Sequence, residues 1–191
     1  MTSSPPLSLR SAFDLGPLPV GRAMETVDQQ LVRANVYLMF DLARNVEQWP
    51  ALLDHYRFVR FRERARDGGG LVEMSANRPF GYLNWPTWWL SEMSVDEREP
   101  VIRFRHVGGV TKGMDVEWQF TRRNDYTQVR IVHVWDGPRW PLIGIFAARQ
   151  VIGPVFIHGI ASRTLAGLAA VAEREASAGG HYSGPDPRGA A

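Results

Sequence analysis

Two alternating stretches joined by a short turn constrain this chain more than anything else in it. Met114, Val116, Trp118 and Phe120 alternate with Asp115, Glu117 and Gln119. After Arg123-Asn124-Asp125, Val129, Ile131, His133 and Trp135 alternate with Arg130, Val132 and Val134. Period-two alternation on both sides of a turn predicts a hairpin with one bulky apolar face. That face needs a cover, and the one run long enough to supply a covering helix is Leu142 to about Ala176, directly after it.

The rest of the chain extends the hairpin into a sheet. Met24 to Arg33 is a plausible first strand, and Tyr56 to Asp136 reads as six more, with turns at Asp67 to Gly70, near Phe80-Gly81, at Glu97 to Pro100, near Gly108-Gly109 and at Asn124-Asp125. Sequential strands with short turns imply an antiparallel sheet, and a late helix implies α+β architecture. Between the first two strands, Asn35 has the form of a helix N-cap before Val36, Met39, Phe40 and Ala43. Asn45 with Gln48 has the form of a capping box, cut short by Pro50.

Within the late apolar stretch, Leu142 to Ile160 carries Arg149 as its only formal charge. It is shorter than the roughly 20 residues needed to span a bilayer, and Pro154 splits it from a main helix through Ser162, Leu165, Leu168 and Val171. Its apolar residues exceed what one face of a short helix can bury, which makes it a candidate gate, membrane-surface contact or protein interface. Residues 1–22, rich in Pro and Ser, read as a flexible leader, and 177–191 as a disordered tail. One domain, 23–176, remains.

Composition closes several alternatives. There is no cysteine, hence no disulfide, thiolate metal site or cysteine nucleophile, and no secretory leader is evident, so a cytoplasmic protein is expected. The net charge of +2 comes with 21 Arg and one Lys, Lys112. Arg60, Arg62, Arg64 and Arg66 recur with period two, which reads as a solvated outer face, and no nucleic-acid-binding motif accompanies them. Neither G-x-S-x-G nor H-E-x-x-H occurs, and the glycines around Lys112 lack phosphate-loop spacing. No metal site and no cofactor are expected.

Three stretches together resemble a known family: VYLMFDLARNVEQWPALLDHYRFVRF (36–61), VTKGMDVEWQF followed by TQVRIVHVWDG, and FIHGIASRTLAGLAAVAE (156–173). They are similar to the polyketide cyclase/dehydrase group of the START-like, helix-grip superfamily. The resemblance covers about residues 24–175. It implies a curved seven-stranded antiparallel sheet around a long C-terminal helix, with two short helices after the first strand and a deep apolar cavity. It also implies cofactor-independent cyclase, aromatase or dehydratase chemistry on a polyketide, or alternatively non-catalytic carriage of a lipid, quinone or pigment. Tyr56 matches a tyrosine at the mouth of aromatase cavities. Strict alternation places it with Arg60 and Arg62 outside; a bulge at the strand start would turn it inward. The arginine that aromatases carry on the third strand falls on Ser75, with Arg78 the nearest guanidinium.

His106 and His133 share the apolar parity of their strands and can exchange protons near neutral pH, so with Tyr56 they form the candidate catalytic set. Each also has a plainer reading as a hydrogen-bonded core group. The expected ligand-binding residues are Arg78, Trp88, Trp89, Met114, Trp118, Trp135, Phe146 and His158, the indoles offering flat apolar faces. Expected partners are a hydrophobic small molecule (polyketide, lipid or quinone), no nucleic acid, a peripheral membrane or protein surface at 142–160, and a second copy of the chain as a homodimer.

Overall fold

Each alternating run forms a strand. The structure, a computed structural model, describes residues 9–10, 13, 15–80, 83–137 and 158–179, except for the side chains of 9–10, 78–80, 83–85 and 158. In chain order the elements are β1 (Leu9–Arg10), β2 (Met24–Val32), α1 (Val36–Arg44), a 3-10 turn (Val46–Gln48), α2 (Trp49–Leu52), β3 (Tyr56–Ala65), β4 (Gly70–Phe80), β5 (Leu83–Asp96), β6 (Val101–Gly109), β7 (Asp115–Arg123), β8 (Tyr126–Trp135) and α3 (His158–Ser177). Seven strands, β3-β4-β5-β6-β7-β8-β2, pair antiparallel in a curved sheet. Within the stretch expected as a leader, β1 adds a short parallel edge to β3, and Leu15 is buried with its carbonyl accepting from Arg105 Nη2 at 3.1 Å.

The hairpin sets the register. Val116 pairs with His133, Trp118 with Ile131 and Phe120 with Val129, so the bulky residues share one face. Ile102, Val129 and Ile131 on that face are fully buried, as are Leu168 and Ala172 of α3. The stripe Ala161, Leu165, Leu168, Ala169, Ala172 is the helical periodicity that seats α3 on the sheet. Asn35 caps α1 by accepting from the Tyr37 amide at 2.8 Å. Asn45 makes no side-chain cap bond; the chain tightens into the 3-10 turn instead, with the Gln48 amide donating to the Asn45 carbonyl at 2.9 Å.

The opposite face collects the charges. Arg60 and Arg62 both reach Glu73 (2.7 and 2.6 Å), Arg103 reaches Glu117 (2.6 Å), and Arg105 reaches Asp115 (2.8 Å). These are cross-strand pairs, and they put Arg60 and Arg62 on the solvated side that their spacing predicts.

Candidate functional site

A compact cavity of about 80 Å³ lies between the inner face of the sheet and α3. Its floor is Met74, Phe104, Val116, Trp118 and Ile131, one wall is Trp49 and Trp89, and Ile160, Ala161 and Thr164 of α3 close it. The deep cavity implied by the family resemblance is therefore not seen among the described residues. Large side chains occupy that space: Trp49 lies 5.2 Å from Tyr56 and 5.8 Å from Trp118, ring centre to ring centre. Ligand sites for drug-sized molecules run to roughly 300–1,000 Å³, so this one suits a single ring unless Met74 or Met114 moves.

Tyr56 reaches the cavity through a bulge. The register between β3 and β4 shifts between Tyr56 and Phe58, so Tyr56 and Val59 are both buried while Arg57, Arg60 and Arg62 face out. The added residue turns the phenol inward at the start of the strand. Its hydroxyl lies 3.2 Å from Thr164 Oγ1, and His55 Nε2 lies 3.1 Å from the same oxygen. Thr164 in turn donates to the Ile160 carbonyl one helical turn back, at 2.8 Å. Burial pushes the phenol well above the usual tyrosine range, against the opposing Thr164 bond. Burial and then the Arg163 guanidinium lower His55, with Asp54 opposing.

His106 is fixed from three sides. Its backbone bonds Met114 and Gly113 at 2.8 Å each, Nδ1 meets Thr111 Oγ1 at 2.5 Å, and its ring stacks on Trp89 at 6.1 Å and 14°. The turn that supplies Thr111 begins at Gly109, where φ is +85° and a Cβ would lie 2.2 Å from the Trp88 carbonyl oxygen, so only glycine fits. Burial, with His133 adding to it, pushes the His106 imidazole down to about 3, which keeps it neutral across the physiological range.

Of the expected residues, Tyr56, His106, His133, Trp89, Met114 and Trp118 converge on the cavity. Trp88 does not. It is 41% exposed on the opposite face, with Nε1 donating to Glu73 at 2.7 Å, because adjacent residues of a strand cannot both face inward. Trp135 is fully buried on the inner face but bonds the Lys112 carbonyl at 3.1 Å and packs outside the cavity lining. Ser75 bonds the Thr87 carbonyl at 2.8 Å. The side chains of Arg78 and His158, and Phe146 with 142–157, lie outside the described residues. Trp49, Met74, Thr111 and Thr164 were not anticipated, nor was His55. Period two does flag Met74, which lies two residues from Val72.

Among the described residues no group of three or more His, Asp or Glu is placed to hold a metal ion, and no helix is long and apolar enough to cross a membrane.

A curved antiparallel sheet gripping a C-terminal helix over an apolar cavity defines the START-like, helix-grip class. Sequence places the chain more finely. Residues 32–153 match the family described as polyketide cyclase/dehydrase and lipid transport, and the chain belongs to that family. Among solved structures it is similar to the Zhui aromatase/cyclase from Streptomyces sp. R1128 (18% identity, 82% of this chain and 98% of that one, TM-score 0.68). It is also similar to a major latex-like protein of Panax ginseng (11%, 80% and 99%, 0.64) and to a START superfamily protein from Mycobacterium smegmatis (12%, 82% and 99%, 0.57). At these identities the likeness shows the fold. No curated protein matches by sequence.

Proposed function

We propose that the chain is a cofactor-independent cyclase or dehydratase acting on a small polyketide-like substrate held between the sheet and α3. The observation that carries this reading is the convergence of Tyr56, His106 and His133 on a cavity otherwise lined by apolar and aromatic side chains. Such walls can hold the one ring that is closing on a short poly-ketone and exclude water from it, while a few oriented polar groups assist enolisation and loss of water. His106, kept neutral by burial and bonded to Thr111, positions an oxygen of the substrate, and His133, on the same wall, is the proposed proton-exchanging group.

The test uses a synthetic poly-β-ketone N-acetylcysteamine thioester. The wild-type chain should convert it to cyclised or dehydrated product by mass spectrometry, and His133→Gln should lower kcat by about 100-fold with KM little changed, as expected when a general acid–base group is lost. Equal turnover in both proteins refutes the proposed role.

A second reading, carriage of a lipid, quinone or pigment, is favoured by one feature: Tyr56 and His106 are both held away from titration near neutral pH. Native mass spectrometry of the purified chain decides for it if a hydrophobic molecule co-purifies and the thioester is left unchanged.

A further inference from the structure

The hydrogen-bond network behind Tyr56 determines what kind of oxygen the cavity accepts. Thr164 Oγ1 has three neighbours within hydrogen-bond distance: the Ile160 carbonyl at 2.8 Å, Tyr56 Oη at 3.2 Å and His55 Nε2 at 3.1 Å. A hydroxyl has one proton and two lone pairs, and a carbonyl oxygen can only accept. The Thr164 proton therefore goes to Ile160, since otherwise two bare acceptor oxygens would face each other at the shortest of the three distances. With that proton committed, Thr164 can only accept from the phenol; the role of His55 Nε2 follows its tautomer, which Asp54 Oδ1, 3.7 Å from Nδ1, also influences, and the assignment of the phenol proton does not depend on it. All three side chains are buried, Thr164 to 1% exposure, so no solvent competes for these protons.

The consequence falls on Tyr56. Its single proton is spent on the helix, and the phenol oxygen turns only lone pairs toward the cavity it lines. We infer that Thr164 is a positioning residue that makes Tyr56 an acceptor, so that the ligand presents a hydroxyl (an alcohol, enol or phenol) to this wall, and a ketone is disfavoured there. Thr164 acts through Tyr56, and the preference rests on the reading that the ligand occupies the cavity described above.

Cyclohexanol and cyclohexanone test it, being of one size and differing in the proton. Their affinities for wild type, Thr164→Val, Thr164→Ser and Tyr56→Phe are measured by calorimetry. Wild type should favour the alcohol by about tenfold, the usual worth of one hydrogen bond. Thr164→Val, matched in shape, leaves the phenol proton without its acceptor; the proton turns into the cavity and the preference falls to parity or reverses. Thr164→Ser keeps the hydroxyl and should keep the preference, and Tyr56→Phe should abolish it. A wild type that favours the ketone overturns the inference, and so does an unchanged ratio in Thr164→Val or Tyr56→Phe. Wild type and Tyr56→Phe decide the matter if Thr164→Val fails to fold. Failure of both probes to bind any variant removes the cavity reading itself, and this inference with it.

Discussion

Acid should destabilise this fold through His106, and the size of the effect can be worked out. The imidazole titrates near 6.5 when exposed and about 3 in the fold, because burial and the neighbouring His133 disfavour its charge. Between those values the unfolded chain binds a proton that the folded chain refuses, so stability is fully present above pH 6.5 and is lost as pH falls toward 3. The difference corresponds to about 5 kcal/mol when complete, and to about 3 kcal/mol at pH 4.5. Domains of this kind are stable by about 5–15 kcal/mol in total, so the loss is large. The assay is urea unfolding followed by tryptophan fluorescence at pH 7.5 and pH 4.5, in wild type and His106→Gln. His55 and the paired carboxylates contribute in both proteins and cancel, and making both measurements in a His133→Gln background removes the imidazole that acts directly on His106. The substitution lowers stability at both pH values, but the loss between them should shrink by about 3 kcal/mol, the worth of that one titration. Equal losses in the two proteins would falsify the assignment of His106 as a buried neutral imidazole.

Two further predictions concern elements around the cavity. Trp88→Ala removes an outer-face indole and its bond to Glu73, and should cost about 1 kcal/mol in urea unfolding while leaving cyclohexanol affinity unchanged; a tenfold loss of affinity would return Trp88 to the site. Gly167→Ala on α3 gains about 1 kcal/mol of helix propensity. Its new Cβ would lie 2.3 Å from Leu53 Cδ2, and overpacking a buried residue costs about 1–3 kcal/mol, so the net effect should be a lower Tm; in a Leu53→Ala background, itself less stable but with the clash removed, the same substitution should raise Tm instead.

The sheet was legible in the sequence because period two leaves a record at every residue. The turns at Gly108-Gly109 and Asn124-Asp125, the Asn35 cap and the buried parity of Trp118, Ile131 and His133 all stand where alternation put them. The misplacement of Trp88 was avoidable: Trp89, Met93 and Val95 share a parity, and Glu92, Ser94 and Asp96 put Trp88 on the other. Other features leave no such record. Nothing in Arg57-Phe58 announces a bulge, yet it decides whether Tyr56 sees the cavity or the solvent. Trp49, His55 and Thr164 enter from a short helix, a turn and the last helix, and tertiary packing brings them together across more than 100 residues of chain.

The two faces of the sheet also divide the chemistry, and this bears on what the cavity can hold. Arg60, Arg62, Arg103 and Arg105 are satisfied on the outer face by Glu73, Glu117 and Asp115. No Asp, Glu, Lys or Arg is among the described residues lining the cavity; its polar groups are Tyr56, His106, Thr111, His133 and Thr164. A charged ligand would give up its hydration there with no opposite charge to compensate, at a cost of several kcal/mol. A neutral ring with one or two oxygens loses little and gains the apolar wall. Binding should therefore be insensitive to salt, and binding that weakens steeply between 50 and 500 mM NaCl would place the ligand on the arginine-lined outer face instead.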